Sequence, residues 1–76
     1  MQGKIKFWNV AKAFGFIQAG QSDEDEFFFH ISGVVPEDFK PTDDGKVYIN
    51  KGTRVEFDLE DHQRGPKAIN IRRLKM

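Results

Sequence analysis

Two short aromatic runs, Lys12-Ala13-Phe14-Gly15-Phe16-Ile17 and Phe27-Phe28-Phe29-His30-Ile31, carry the side chains best suited to chemistry in this 76-residue chain. Rings beside lysines suit a flat, negatively charged ligand such as single-stranded nucleic acid: a base stacks on the ring while a nearby ammonium meets its phosphate. In a strand, successive side chains alternate faces, so each run sends rings to both sides of a sheet. A chain this small has one core to fill, which leaves the other set facing water. Superimposing the two alternations puts Phe14, Phe16, Phe28 and His30 on one face and Ile17, Phe27 and Phe29 on the other. Burying the first set as ordinary core would expose the second. Lys6 and Lys12 border the first set, with Lys4 further along. His30 adds a ring that both stacks and donates a hydrogen bond. Gly15, between two rings, lets the sheet bend or another strand approach.

The elements that must position these residues follow from hydrophobic periodicity. Gly3 to Trp8 alternates, with Ile5 and Phe7 against Lys4, Lys6 and Trp8. Phe14 to Ala19 and Glu26 to Ile31 form a second and third strand around a turn at residues 20–23. Arg54 to Glu60 is the cleanest case, with Val55, Phe57 and Leu59 inward. After the turn Arg64-Gly65-Pro66, residues Lys67 to Leu74 make a fifth strand holding Ile69 and Ile71. No window has 3.6-residue periodicity. Residues 32–51 are irregular, punctuated by Pro36, Pro41, Asp44-Gly45 and Asn50-Lys51-Gly52, and form a long connection for so small a fold. Five short strands must manage their edges, and closing into a barrel does so. The expectation is an all-β, five-stranded antiparallel barrel over residues 1–76 as one domain, with a long loop between strands three and four.

Composition bounds the function. There is no cysteine, so disulfides and thiolate metal sites are excluded and a reducing compartment fits. No apolar stretch approaches the ~20 residues of a membrane-spanning helix, and Met1-Gln2-Gly3-Lys4 opens no signal peptide, so a cytoplasmic location is expected. Two histidines and scattered carboxylates show neither metal-ligand spacing nor a nucleophile–base pair. No enzyme, cofactor or metal is expected, and His62 reads as a solvated turn residue. Twelve basic and twelve acidic residues cancel. They are segregated, however: residues 1–20 hold Lys4, Lys6 and Lys12 without an acid, and residues 62–76 hold Arg64, Lys67, Arg72, Arg73 and Lys75 without one. If the two ends fold side by side, a neutral molecule gains a basic face.

Lys6-Phe7-Trp8-Asn9, the run Lys12 to Ile17, and Phe28-Phe29-His30 together resemble the cold-shock domain family, the two aromatic runs being similar to its RNP1 and RNP2 motifs. Arg64-Gly65-Pro66 with Ala68 and Asn70 resembles its last turn and strand, so the likeness covers nearly the whole chain. It implies an OB-fold barrel that binds single-stranded RNA or DNA, as an RNA chaperone or a regulator of transcription or translation. Residue by residue, it implies a nucleic-acid face of Lys6, Lys12, Phe14, Phe16, Phe28 and His30, with Phe39 as a stacking loop aromatic and Arg64 contacting the strand from the last turn. Phe7-Trp8 reverses the family's usual Trp-Phe order. Strict alternation puts Trp8 with Lys4 and Lys6, while the motif favours position 7, so both belong to the candidate set. Ala13 stands where the family usually has Gly, Ile31 replaces a third aromatic, and residues 41–48 are an insertion bearing Tyr48 and an Asp-Gly turn.

A second class remains open: a protein-interaction barrel whose aromatic face grips an extended or proline-rich peptide. The flanking Lys4, Lys6 and Lys12 favour phosphate. The expected partner is therefore single-stranded nucleic acid rather than a membrane or a small-molecule substrate. A monomer is the default, and strand exchange through the long loop is available to it.

Overall fold

A computed structural model describes residues 1–20, 25–63 and 65–74, and the alternating segments become strands within a residue or two of their expected ends. They are β1 (Gln2–Asn9), β2 (Phe14–Gln18), β3 (Glu26–His30), β4 (Arg54–Glu60) and β5 (Lys67–Arg73), with one 3-10 turn over Ile31–Gly33. The expected turn at 20–23 falls largely outside the described residues. The strands close into a barrel in the order β1-β2-β3-β5-β4. Neighbours are antiparallel except β3 and β5, which run parallel through the Phe28–Lys67 pair. The expected antiparallel barrel thus closes through one parallel pair, and parity explains it. A closed ring with an odd number of strands cannot alternate direction all the way round.

The interior is filled by Ile5, Ile17, Phe29, Val55, Phe57, Ala68 and Ile71, with Val34, Phe39 and Ile49 added from the long connection. Leu59, expected inward with Val55 and Phe57, is exposed near the end of β4. Two strands reach the core only by breaking their own alternation. In β1 the register slips between Ile5 and Phe7, so that Lys6 is a bulge residue and Ile5 and Trp8, three apart, both turn inward. In β5, Ala68 and Ile71 are likewise three apart and both buried. Asn70 between them takes a left-handed φ of 52°, its amide donating to Asp58 Oδ2 at 3.2 Å. Asparagine tolerates that conformation better than most residues.

Among the described residues, the basic ends are not direct strand neighbours. β1 and β5 each pair with β4, which carries Glu56, Asp58 and Glu60 outward between them. The long connection is organised rather than loose. Thr42 to Lys46 forms a tight turn, with Thr42 N–H donating to Lys46 O at 2.8 Å and Gly45 at φ 79°. The Asp44 carboxylate accepts from the Thr42 hydroxyl and from the Lys46 amide, which hold its pKa below the ordinary value, and Tyr48 OH adds a weaker bond. Residues 47–53 then run beside β1: Trp8 Nε1 donates to Val47 O at 2.9 Å, Gly52 N to Ile5 O at 2.7 Å, and Ile5 N to Thr53 O at 2.9 Å.

Two backbone sites near the aromatic runs carry testable consequences. Ala13 has φ 56°, with its N–H on Asn9 O and its carbonyl accepting from Ile31 N. A Cβ costs energy in that conformation, so Ala13→Gly is expected to raise stability by about 0.5–1 kcal/mol in chemical denaturation. A Cβ on Gly15 would lie 2.2 Å from Phe7 O and 3.0 Å from the Phe29 ring. Neither backbone nor core ring yields cheaply, so Gly15→Ala should lose about 1–3 kcal/mol. For Asp44, a lowered pKa means that its contribution to the turn is complete above the ordinary value of 3.8 and is lost as pH falls through the lowered one. An acid titration followed at the Lys46 amide should therefore leave the turn unchanged until below about pH 4.

Candidate nucleic-acid interface

The β2–β3 register sets Phe14 opposite His30 and Phe16 opposite Phe28, while Gly15 faces Phe29 and Ile17 faces Phe27. Phe14, Phe16, Phe28 and His30 thus share the outer face, as alternation requires. Phe29 and Ile17 are fully buried, and Phe27 packs on the core against Phe57 with centroids 5.9 Å apart. The β1 bulge brings Phe7 opposite Phe16 on the outer face. Centroid distances of 5.8–6.3 Å link Phe7, Phe14, Phe16 and Phe28 into one cluster. All five pairs are tilted or edge-on rather than stacked face to face, and they present rings at several angles. Phe7 and Phe28 remain 45% and 39% exposed, and Phe14, Phe16 and His30 are half-buried against their neighbours.

Trp8 stands apart from the outer set. The bulge at Lys6 shifts the phase of β1, so Trp8 faces inward, stacks on Phe29 (5.4 Å, 12° between planes) and spends its Nε1–H on Val47 O. Its grouping with Lys4 and Lys6 assumed an unbroken alternation. Phe39 stands apart as well. It is 4% exposed, sits in the core, and has the Arg73 guanidinium 4.8 Å from its ring centroid. The barrel needs apolar caps from its long connection, and Phe39 is one of them. Arg64 lies outside the described residues.

The polar rim is asymmetric. Lys6 is paired with Glu26 across the outer face. Lys12 is exposed on the β1–β2 connection, its backbone N–H fixed by Asn9 Oδ1 at 3.0 Å. His30 Nδ1 accepts from the Ser32 N–H at 3.2 Å. That bond assigns the neutral ring's proton to Nε2, which is then available as a donor. On the β5 side, Phe28 joins His62, Gly65, Pro66 and Lys67 around a notch of about 310 Å³. Sequence reasoning did not place His62, Pro66 or Lys67 at the site. Only the parallel β3–β5 pairing brings them to Phe28, and no local pattern signals it.

Among the described residues no cluster of three or more His, Cys, Asp or Glu is disposed to hold a metal ion. No helix there is long and apolar enough to cross a membrane. The family model described as "'Cold-shock' DNA-binding domain" matches residues 1–74. The chain is 38% identical over 74 residues to the cold shock-like protein CspC of Bacillus cereus, covering 97% of this chain and 100% of that one. It is 37% identical over 73 residues to the major cold shock protein of Streptococcus pyogenes serotype M18, covering 96% of each. A CspC-named relative from Buchnera aphidicola is 34% identical over 71 residues, 93% of this chain and 91% of that one. With the closed five-stranded barrel and both aromatic runs in register, these matches make the chain a member of the cold-shock domain family.

Proposed function

We propose that the protein binds single-stranded RNA or DNA by stacking bases on Phe7, Phe14, Phe16, Phe28 and His30. One observation carries this reading: these rings stand together on the outer face of a barrel whose interior is already full of other side chains. An outward aromatic cluster is costly in water and suits a ligand with flat faces. Lys12 and Lys67 flank it on opposite sides and supply cations for the backbone, while Lys6 must exchange Glu26 for a phosphate. His30 Nε2–H offers a donor to a base edge or a phosphate. Stacking contributes about 1–3 kcal/mol per base with little sequence preference, which suits a protein that holds many single strands open. The cellular role that fits is that of an RNA chaperone, or of a regulator acting on transcripts. The DNA-binding description of the matching family supports a nucleic-acid ligand.

Titration with short oligonucleotides at low salt tests this. Phe16→Ala and Phe28→Ala should each weaken binding by about 1–3 kcal/mol while the denaturation midpoint shows a folded barrel. Unfolding with no selective loss of binding would return those rings to a structural role. Lys12→Ala should lower affinity and flatten the salt dependence by about 0.7 in log–log slope, the value of one phosphate contact on a single strand. A peptide-binding barrel would show neither effect.

A further inference from the structure

Residues 47–53 lie along the edge of β1 that faces away from β2. Three hydrogen bonds fix them there, between Trp8 Nε1 and Val47 O, Gly52 N and Ile5 O, and Ile5 N and Thr53 O. The segment is not a strand and turns at residues 50–53, but burial alternates along it: Val47 is half-buried and Ile49 buried, while Lys46, Tyr48 and Asn50 are exposed. Tyr48 follows Val47, whose carbonyl accepts from the indole of Trp8 next to Phe7, so its exposed ring lies beyond β1 on the side away from β2. Tyr48 is 55% exposed, an unusual setting for a ring with no structural partner ring among the described contacts. Its hydroxyl makes only a weak, exposed contact with Asp44 Oδ2 at 3.4 Å, so the ring is free to meet a base.

We propose that Tyr48 is an additional stacking station, which extends the base-binding surface from β3 across β2 and β1 onto the long connection. The proposal rests on the single-strand reading above and adds a position to it. Phe39, the loop aromatic that the sequence favours for such a role, is buried under Arg73, so an exposed ring on this loop has to be Tyr48. Lys46 shares its outward side and is placed to meet the flanking phosphate. Asp43 and Asp44 are also exposed nearby and repel phosphate, so the ring takes the base while the backbone passes on the Lys46 side.

Tyr48 is the only tyrosine in the chain, which makes its ring protons an unambiguous probe. Oligothymidylates of about 3 to about 9 nucleotides would be titrated into the wild-type protein and into Tyr48→Ala and Tyr48→Phe. The proposal expects the Tyr48 ring signals to move upfield only with the longer oligonucleotides. Tyr48→Ala should bind those at least about fivefold more weakly yet bind the shortest as the wild type does, and Tyr48→Phe should retain most of the affinity. Unmoved Tyr48 signals while the phenylalanine signals shift would overturn this station and leave the platform reading intact. Equal affinity of Tyr48→Ala at every length would do the same. No shift at any ring with any oligonucleotide would overturn both.

Discussion

Side chains on β2 and β3 divide between a filled interior and solvent, and the site descends from that division. Phe29, Ile17 and their partners occupy the whole inside of a small barrel, so Phe14, Phe16, Phe28 and His30 have nowhere else to go. Interiors pack at crystal-like density, and a barrel this size has no room for a second layer of rings. The outer aromatics are therefore fixed by the same packing that stabilises the fold. Their mutual contacts at 5.8–6.3 Å orient them, and they rest on a wall whose inner side is packed with core side chains. Gly15 lets that wall curve: with no Cβ, its backbone sits close to Phe7 O and to the Phe29 ring.

The bulge at Lys6 is the second determinant. It lets one strand send Ile5 and Trp8 inward while Phe7 joins the platform from the far side of β2. Trp8 then serves as a structural post, stacked on Phe29 and bonded to Val47 O, which draws the long connection against β1. Reversal of the two aromatic residues relative to the family's usual order thus resolves into separate roles, one ring outward and one inward. Asn70 in β5 performs the corresponding adjustment on the other side of the barrel.

How far the sequence discloses all this depends on how local each signal is. The outer set on β2 and β3 is legible because alternation is a property of each strand alone, and antiparallel neighbours joined by a short connection stay in phase. The Phe7/Trp8 choice is not legible, because a bulge breaks the periodicity from which it would be read. Burial of Phe39 depends on where a long irregular connection folds back, which no window of residues encodes. His62, Pro66 and Lys67 reach Phe28 through a parallel pairing that only closure of an odd-stranded ring produces. Leu59 follows the pattern of its strand and is still exposed, since alternation gives a side chain's direction and not the cover it meets.

Charge is arranged to match. Glu56 and Asp58 lie on β4, separated from β2 by β1 and from β3 by β5, while Glu60 pairs with Lys67 beside Phe28. On the proposed reading, the neutral molecule meets a polyanion by its aromatic side, with Glu26 beside Lys6 and Glu60 beside Lys67 moderating the attraction. Binding that relies on rings more than on cations should respond weakly to salt, since few counterions are released. The most direct measurement of the central claim is a set of isotope-filtered nuclear Overhauser contacts in a complex with oligothymidylate. The account predicts contacts from base protons to the rings of Phe7, Phe14, Phe16 and Phe28, and none to Phe29 or Phe57. Base contacts confined to another surface of the barrel, with those outer rings untouched, would contradict it.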